Sequence, residues 1–142
     1  MKRSTIAVRF VDTNVLLYAV STAPRERSKN ERALAILDDH DLAVSVQVLQ
    51  EFYVQATRSS RSDPLTHQQA TALVESWLRF RVQETTIDLL RNALSTKERW
   101  NLSYWDAAVV EGARLAGCRI LLTEDLQHGA DFAGVRVENP FR

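Results

Sequence analysis

The sequence has little of what marks several protein classes. Its 142 residues include one cysteine, four glycines and three prolines, and its formal net charge is zero. The lone Cys118 excludes an intramolecular disulfide and is expected to be a small core residue. The lack of net positive charge argues against a strongly electrostatic nucleic-acid binder, although it is compatible with a polyanionic substrate.

Long apolar runs are also lacking. No segment approaches the roughly 18 apolar residues that a membrane-spanning helix requires. The basic start, Met1-Lys2-Arg3, is followed by an apolar stretch that Arg9 interrupts and Asp12 ends, which is too short and too charged for a secretory signal. We therefore predict a soluble, cytoplasmic protein.

Short apolar runs alternate with stretches of helical period. With 45% hydrophobic residues and no internal repeat, the chain is predicted to form a single domain, residues 1–142. Strand-like runs cover 6–11, 42–46, 80–83, 119–123 and 135–137. Helical periodicity begins near residue 15, continues through 33–37, 48–56, 70–78 and 87–96, and resumes after residue 103. Strands separated by helices need crossover connections, so the pattern predicts an α/β fold with a mainly parallel sheet.

Two helix starts carry the signature of a capping box. Ser28 with Glu31 predicts one after a polar, loop-like stretch over residues 24–30, and Thr66 with Gln69 predicts another. In both pairs the hydroxyl can accept from the amide three residues on, while the longer side chain reaches back.

Four carboxylates lie at strand–helix junctions or in the first turns of a helix: Asp12, Glu51, Asp106 and Asp125. In a parallel sheet the reactive crevice lies beyond the carboxyl ends of the strands, so the predicted topology brings such junctions together. Clustered carboxylates repel one another unless a cation neutralises them, and carboxylate oxygens suit a hard divalent cation. The sequence therefore predicts an acidic metal pocket.

Asp12 and Asp106 also have structural interpretations. Asp12 could serve only as an N-cap. Asp106 follows Ser103 by three residues and could be the acidic half of a capping box. However, Val109 and Val110 lie behind Asp106 on an apolar helical stripe, which directs the carboxylate towards the body of the protein.

The other two acids are less well defined by their neighbours. A solvated helix face explains Glu51 adequately, because polar residues lie close to it. Asp125 could be a turn residue, and the adjacent Glu124 is equally available as the functional acid.

Four motifs in order resemble those of the PIN-domain nucleases: Val11-Asp12-Thr13-Asn14-Val15, Gln47-Val48-Leu49-Gln50-Glu51-Phe52, Trp105-Asp106-Ala107-Ala108-Val109 and Leu122-Thr123-Glu124-Asp125-Leu126-Gln127-His128-Gly129. Among these nucleases the chain is most similar to the VapC toxins of bacterial type II toxin–antitoxin systems. The resemblance runs from about residue 8 to 137. It implies a three-layer α/β/α sandwich with a central, mainly parallel sheet of about five strands.

The resemblance also implies an activity and a set of site residues. It implies a Mg²⁺- or Mn²⁺-dependent endoribonuclease, a ribonuclease toxin that forms homodimers and is inhibited by an antitoxin protein. The implied metal-binding and catalytic residues are Asp12, Glu51, Asp106 and Asp125. The implied supporting residues, which would orient the acids or the attacking water, are Thr13, Asn14, Ser45, Thr123 and, as an alternative ligand, Glu124.

Contacts with the RNA substrate are expected outside the acidic pocket. Arg25, Arg27 and Lys29 follow the first helix and are the first candidates for phosphate contacts, with Arg58 and Arg61 beside them. The three tryptophans, Trp77, Trp100 and Trp105, are expected in the core or at an interface rather than as platforms for base stacking.

Other function classes fit the sequence less well. A non-catalytic PIN-like RNA-binding or scaffold domain would be expected to lack one or more of the acids, and all four are present. A phosphate-accepting signalling domain would prefer an acidic pair after the first strand and a lysine after the last. Here Thr13 and Asn14 follow Asp12, and no lysine lies beyond Lys97.

Overall fold

Residues 8–142 form an α/β fold around one six-stranded sheet. The computed structural model describes residues 8–142. The strands are β1 (Arg9–Val11), β2 (Leu42–Ser45), β3 (Arg81–Gln83), β4 (Ile120–Leu122), β5 (Asp131–Phe132) and β6 (Val135–Glu138). The helices are α1 (Thr13–Ala19), α2 (Arg27–Leu37), α3 (Val46–Ala56), α4 (His67–Trp77), α5 (Ile87–Trp100) and α6 (Tyr104–Leu115).

The sheet is mainly parallel, with the strand order β3-β2-β1-β4-β6-β5. Every residue of β2 is buried, and Phe10 and Val11 of β1 are fully buried. Because alternate residues of a strand face opposite sides, this burial shows that helices cover both faces of the sheet. The predicted α/β architecture is confirmed.

The strand order brings three strand ends together. Strands β2, β1 and β4 are neighbours, with Phe10 opposite Ala43 and Val11 opposite Leu122. Ser45 is the last residue of β2, while Asp12 and Thr123 directly follow β1 and β4. The middle of the sheet therefore carries polar side chains at its carboxyl edge.

One of the two predicted capping boxes is confirmed. The Thr66 hydroxyl accepts from the Gln69 amide at 3.1 Å, and the Gln69 side chain accepts from the Thr66 amide at 2.9 Å.

The predicted loop over residues 24–30 is wrong, and so is the capping box of Ser28 with Glu31. A 3₁₀ turn over Pro24–Glu26 leads directly into α2, which begins at Arg27, so Ser28 lies inside the first helical turn rather than at its cap. The reason is that Pro24 opens the turn with a backbone angle already suited to a helix. The Glu26 amide then donates to the Ala23 carbonyl at 2.9 Å.

Within the described residues the sheet has six strands, in keeping with the expectation of about five, and the additional one is short. The two-residue β5 pairs antiparallel with β6 through a tight turn at Ala133 and Gly134, whose φ angles are 53° and 101°. Two residues are too few to show a period in the sequence. The first strand was predicted over 6–11, but residues 6 and 7 lie outside the described part of the chain.

The fold also shows where Cys118, Trp77 and the start of the first helix lie. Cys118 is buried, as predicted, and Trp77 lies in the core. Helix α1 begins at Thr13 rather than near residue 15. Between residues 8 and 142, no helix has both the length and the apolarity needed to cross a membrane.

A buried charge, which the sequence analysis missed, links α5, α6 and the β5–β6 turn. Glu111 is 2% exposed and accepts from the Thr96 hydroxyl at 2.7 Å and from Arg114 Nε at 2.9 Å. The same guanidinium donates to the carbonyls of Phe132 and Ala133. Because both oxygens of the Glu111 carboxylate accept hydrogen bonds and Arg114 compensates its charge, the free-energy cost of burying it is modest.

Candidate metal centre

All four predicted acids line one polar pocket of about 270 Å³ at the carboxyl edge of the central strands. We call it the acidic pocket. Asp12 is buried, Glu51 and Asp106 are half-buried, and Asp125 is exposed. The residues that line it are Asp12, Thr13, Asn14, Leu17, Gln47, Glu51, Gln55, Trp105, Asp106, Val109 and Asp125.

Asp12 lies at the centre of a hydrogen-bond network. Its Oδ1 accepts from the Thr13 amide at 2.7 Å, which makes it the N-cap of α1. Its Oδ2 accepts from the Thr123 hydroxyl at 2.8 Å, which joins the ends of β1 and β4. Asp12 is therefore both a cap and a member of the pocket, and the two interpretations of its sequence position do not exclude each other.

Glu51 reaches the pocket from α3. Its Oε1 accepts from the Thr13 hydroxyl at 3.1 Å, so the first residue of α1 holds a carboxylate supplied by another helix. Only packing between α1 and α3 makes this contact possible. The polar neighbours of Glu51 along the sequence gave no sign of it.

Asp106 enters from the first turn of α6. The Ser103 hydroxyl accepts from the Asp106 amide at 3.1 Å, so Ser103 caps the helix while the Asp106 carboxylate lines the pocket. The buried Gln47 at the start of α3 donates to the Trp105 carbonyl at 3.4 Å, which ties the starts of α3 and α6 together.

Asp125 and Glu124 point in different directions. Asp125 lines the acidic pocket, and its Oδ2 accepts from the Asn14 side chain at 3.2 Å. Glu124 instead accepts from the Tyr18 hydroxyl and pairs with Lys29, outside the lining of the pocket. Asn14 also donates to the Thr123 hydroxyl at 2.8 Å.

The pocket makes an ionised Asp12 unfavourable. Burial raises the pKa of Asp12 to about 7, and the nearby carboxylates of Asp125 and Glu51 add to the increase. Hydrogen bonds from Thr13 and Thr123 oppose it without cancelling it. A positive charge in the pocket would reverse this balance, because it favours the ionised form of each acid.

The chemistry of these donors fits a divalent cation. Mg²⁺ and Mn²⁺ prefer oxygen ligands, and the pocket offers four carboxylates, one of them with a raised pKa that a cation would lower. Within residues 8–142, no three acidic, histidine or cysteine side chains stand close enough to chelate an ion in their present orientations. Hydrogen bonds occupy carboxylate oxygens of the pocket instead. Asp12 accepts from Thr123, Glu51 accepts from Thr13, and Asp125 accepts from Asn14.

The remaining predicted site residues lie around the pocket rather than in it. Ser45 is buried and caps α3 by accepting from the Val48 amide at 3.1 Å. Arg25 and Arg27 are exposed near the end of α1, where they line two neighbouring surface depressions. Lys29 is engaged with Tyr18 and Glu124.

Trp105 is not a core residue, and its expected place at an interface stays a prediction. It is 61% exposed and lines the acidic pocket beside Asp106, with its ring edge-to-face against Tyr104 at 5.0 Å. Its place after Ser103 in the first turn of a capped helix could have suggested exposure, because such positions commonly face solvent.

Comparisons with known proteins identify the family and the fold of this chain. The sequence pattern of the family described as "PIN domain" matches residues 9–131. A toxin–antitoxin complex from Klebsiella pneumoniae is 20% identical, with a TM-score of 0.66, and the match covers 94% of this chain and 98% of that one. Among curated proteins, none matches.

Two further solved structures share the fold. VapC20 from Mycobacterium tuberculosis, described as a sarcin-ricin loop cleaving toxin, is 22% identical, with a TM-score of 0.65 and coverage of 82% of this chain and 89% of that one. VapBC2 from Rickettsia felis, bound to a DNA fragment from its promoter, is 15% identical, with a TM-score of 0.64 and coverage of 93% and 98%. With the family pattern matching most of the chain, this protein belongs to the PIN domain family.

Proposed function

We propose that this protein is a Mg²⁺- or Mn²⁺-dependent endoribonuclease that hydrolyses RNA phosphodiester bonds and serves as the toxin of a toxin–antitoxin pair. The observation that carries the proposal is the convergence of Asp12, Glu51, Asp106 and Asp125 on one polar pocket. The family membership and the VapC toxins among its structural neighbours support it.

In this proposal the four acids hold the cation, and their neighbours fix the acids. When bound, the cation supplies Lewis acidity that activates water and offsets negative charge on the phosphate. Thr13 orients Glu51, while Thr123 and Asn14 link Asp12 to Asp125. The pocket is open and polar, so it can admit water and a phosphodiester together.

We propose that RNA approaches along α1. Asp12 caps one end of this seven-residue helix, and its other end is followed by the 3₁₀ turn that contains Arg25 and by the start of α2 at Arg27. At 1.5 Å per residue the two ends are about 10 Å apart. In this proposal Arg25 and Arg27 contact a phosphate near the one being cleaved, which positions the substrate without selecting its sequence.

Trp105 is proposed to stack on a base beside the cleaved phosphate. Stacking of one base on an aromatic side chain contributes about 1–3 kcal/mol. Trp105→Ala is therefore expected to raise KM for a short single-stranded RNA about tenfold with little change in kcat. Trp105→Phe, which keeps an aromatic face, should retain most of the affinity. Steady-state kinetics of all three proteins would test this, and equal KM values for wild type and Trp105→Ala would contradict the stacking role.

The proposed activity is tested directly by metal removal. Purified protein is incubated with a labelled RNA after exhaustive chelation, and Mg²⁺ or Mn²⁺ is then added back. Cleavage is expected only with added cation. Cleavage that persists after chelation would contradict the metal mechanism, whereas RNA binding without cleavage at any metal concentration would favour a non-catalytic PIN-like RNA-binding domain.

The proposed partners follow from the relatives. The Klebsiella pneumoniae structure is a toxin–antitoxin complex, and the Rickettsia felis structure contains VapBC2 with promoter DNA. We propose an antitoxin protein as a partner of this chain and a homodimer as its assembly. Co-expression with the neighbouring reading frame, followed by size-exclusion chromatography with light scattering, would measure both.

A further inference from the structure

Glu124 belongs to a three-residue cluster that the acidic pocket does not include. Lys29 Nζ lies 3.1 Å from the Tyr18 hydroxyl oxygen and 3.1 Å from Glu124 Oε1. The Tyr18 hydroxyl donates to Glu124 Oε2, and the Lys29 ammonium also lies 4.8 Å from the centre of the Tyr18 ring. Each pair in the cluster is thus in contact. We call it the Tyr18–Lys29–Glu124 cluster.

The cluster joins three separate parts of the chain. Tyr18 comes from α1, Lys29 from α2, and Glu124 from the loop after β4. Tyr18 is held from behind by Phe141, whose ring packs edge-to-face against it at 4.8 Å. A loop residue is therefore fixed to two helices, and one of its partners is itself held by packing.

The same face of α1 holds this loop a second time. Asn14 and Tyr18 are four residues apart, so they lie one above the other on the helix. Asn14 Oδ1 accepts from the Glu124 amide at 3.3 Å, and its Nδ2 donates to Asp125 Oδ2 at 3.2 Å. Thus α1 holds the loop through the side chain and the amide of Glu124 and through the carboxylate of Asp125.

Asp125 depends on this attachment more than the other acids do. Asp12 is buried, and Glu51 and Asp106 are each carried by a helix, whereas Asp125 is exposed on a loop. Its carboxylate accepts a hydrogen bond from the Asn14 side chain. Glu124 directly precedes Asp125 and anchors the backbone at that point.

We propose that the Tyr18–Lys29–Glu124 cluster is a positioning element that fixes the loop after β4, so that Asp125 presents its carboxylate to the cation. This inference rests on the proposed function, because it assigns a metal-directed role to Asp125. It gives Lys29 a role in positioning rather than in RNA binding. It also accounts for an acidic residue beside Asp125 that stays out of the pocket, because Lys29 compensates its charge locally.

The test uses Glu124→Ala and Tyr18→Phe, alone and combined, in the full chain. The first readout is the hydrogen exchange of amides in residues 123–128 without metal. The second is the Mn²⁺ dissociation constant, measured by electron paramagnetic resonance of the free ion. Glu124→Ala is expected to accelerate exchange in the loop and to weaken Mn²⁺ binding about tenfold, as for residues that orient metal ligands.

Tyr18→Phe keeps the packing against Phe141 and removes only the hydroxyl, so we expect about a threefold weakening. In the Glu124→Ala background it should add nothing, because the hydroxyl has already lost its contact with the loop and retains only Lys29, which then has no link to the loop either. The control is Asp39→Ala, which breaks the 2.7 Å ion pair with Arg9 at the other end of β1. It should change neither readout.

Unchanged loop exchange in Glu124→Ala would overturn the inference, and so would faster exchange with unchanged Mn²⁺ affinity. If the wild-type protein bound no Mn²⁺, the proposed function would fail. The exchange data alone would then decide whether the cluster fixes the loop. Thermal unfolding of each variant separates a local effect from a general loss of stability.

Discussion

Asp106→Asn is expected to reduce RNA cleavage on the order of a thousandfold while the fold stays intact. A cation in such a site contributes several kcal/mol to the transition state, and each 1.36 kcal/mol is a factor of ten in rate. An amide is a much weaker cation ligand than a carboxylate. The cap of α6 does not use this carboxylate, because the Ser103 hydroxyl accepts from the backbone amide of residue 106. Circular dichroism and RNA cleavage kinetics at saturating Mg²⁺ would measure both parts of the prediction.

The matched control for this experiment is Asp88→Asn. Asp88 is also an acid in the first turn of a capped helix, α5, but it is exposed and lies outside the lining of the acidic pocket. Both substitutions remove one negative charge near a helix start, so both lose the same small interaction with the helix dipole. Activity close to wild type is expected for Asp88→Asn. Full activity in Asp106→Asn would remove Asp106 from the metal site.

Asp12→Asn is expected to change the pH dependence of stability in metal-free protein. Burial raises the pKa of Asp12 from 3.8 in the unfolded chain to about 7 in the folded one. The folded state therefore binds the Asp12 proton more tightly than the unfolded chain does. The stability that this proton contributes is fully present below pH 3.8 and is lost as the pH rises through 7. The shift corresponds to about 4 kcal/mol in total, and about 2–3 kcal/mol of it falls between pH 5 and pH 8.

The measurement is the free energy of unfolding of wild type and Asp12→Asn in chelator at pH 5 and pH 8. Relative to wild type, the variant should gain stability as the pH increases, because asparagine has no proton to lose. A separate penalty lowers the stability of the variant at every pH: the Thr13 amide and the Thr123 hydroxyl donate to different oxygens of Asp12, and an asparagine offers only one oxygen, so one of these donors loses its acceptor.

Added Mg²⁺ gives this experiment a second arm. At pH 8 the cation should stabilise wild type, because it compensates the buried charge, and should stabilise Asp12→Asn far less. Asp88→Asn should follow wild type in both arms. A stability difference between wild type and Asp12→Asn that does not vary with pH would show that Asp12 ionises as freely in the folded protein as in the unfolded chain.

Strand ends were the part of the site that the sequence could predict. Asp12 and Thr123 directly follow buried apolar runs, and a parallel sheet places such positions side by side. Asp106 was predictable from the apolar stripe behind it, since Val109 and Val110 are both buried. In each case a local pattern was enough, because sheet topology supplied the rest.

Contacts between helices were not predictable. Glu51 looked like a solvated residue, and only the packing of α1 on α3 brings it to the Thr13 hydroxyl. Glu111 looked equally ordinary, although Thr96 and Arg114 bury its charge. Lys29 looked like a free cation in a basic loop until α2 placed it beside Glu124. Long charged side chains reach many partners, so their spacing in the sequence does not identify which one they contact.

The hydrogen bond between Asp12 and Thr123 has a consequence for how the protein is made. It joins residues 111 positions apart, and β1 can pair with β4 only after nearly all of the described chain has been synthesised. Contacts of such long range form late, because closing so large a loop costs conformational entropy. A nascent chain that has not reached Asp106 and Asp125 therefore holds Asp12 and Glu51 without the other two acids, and the acidic pocket is completed only late in synthesis.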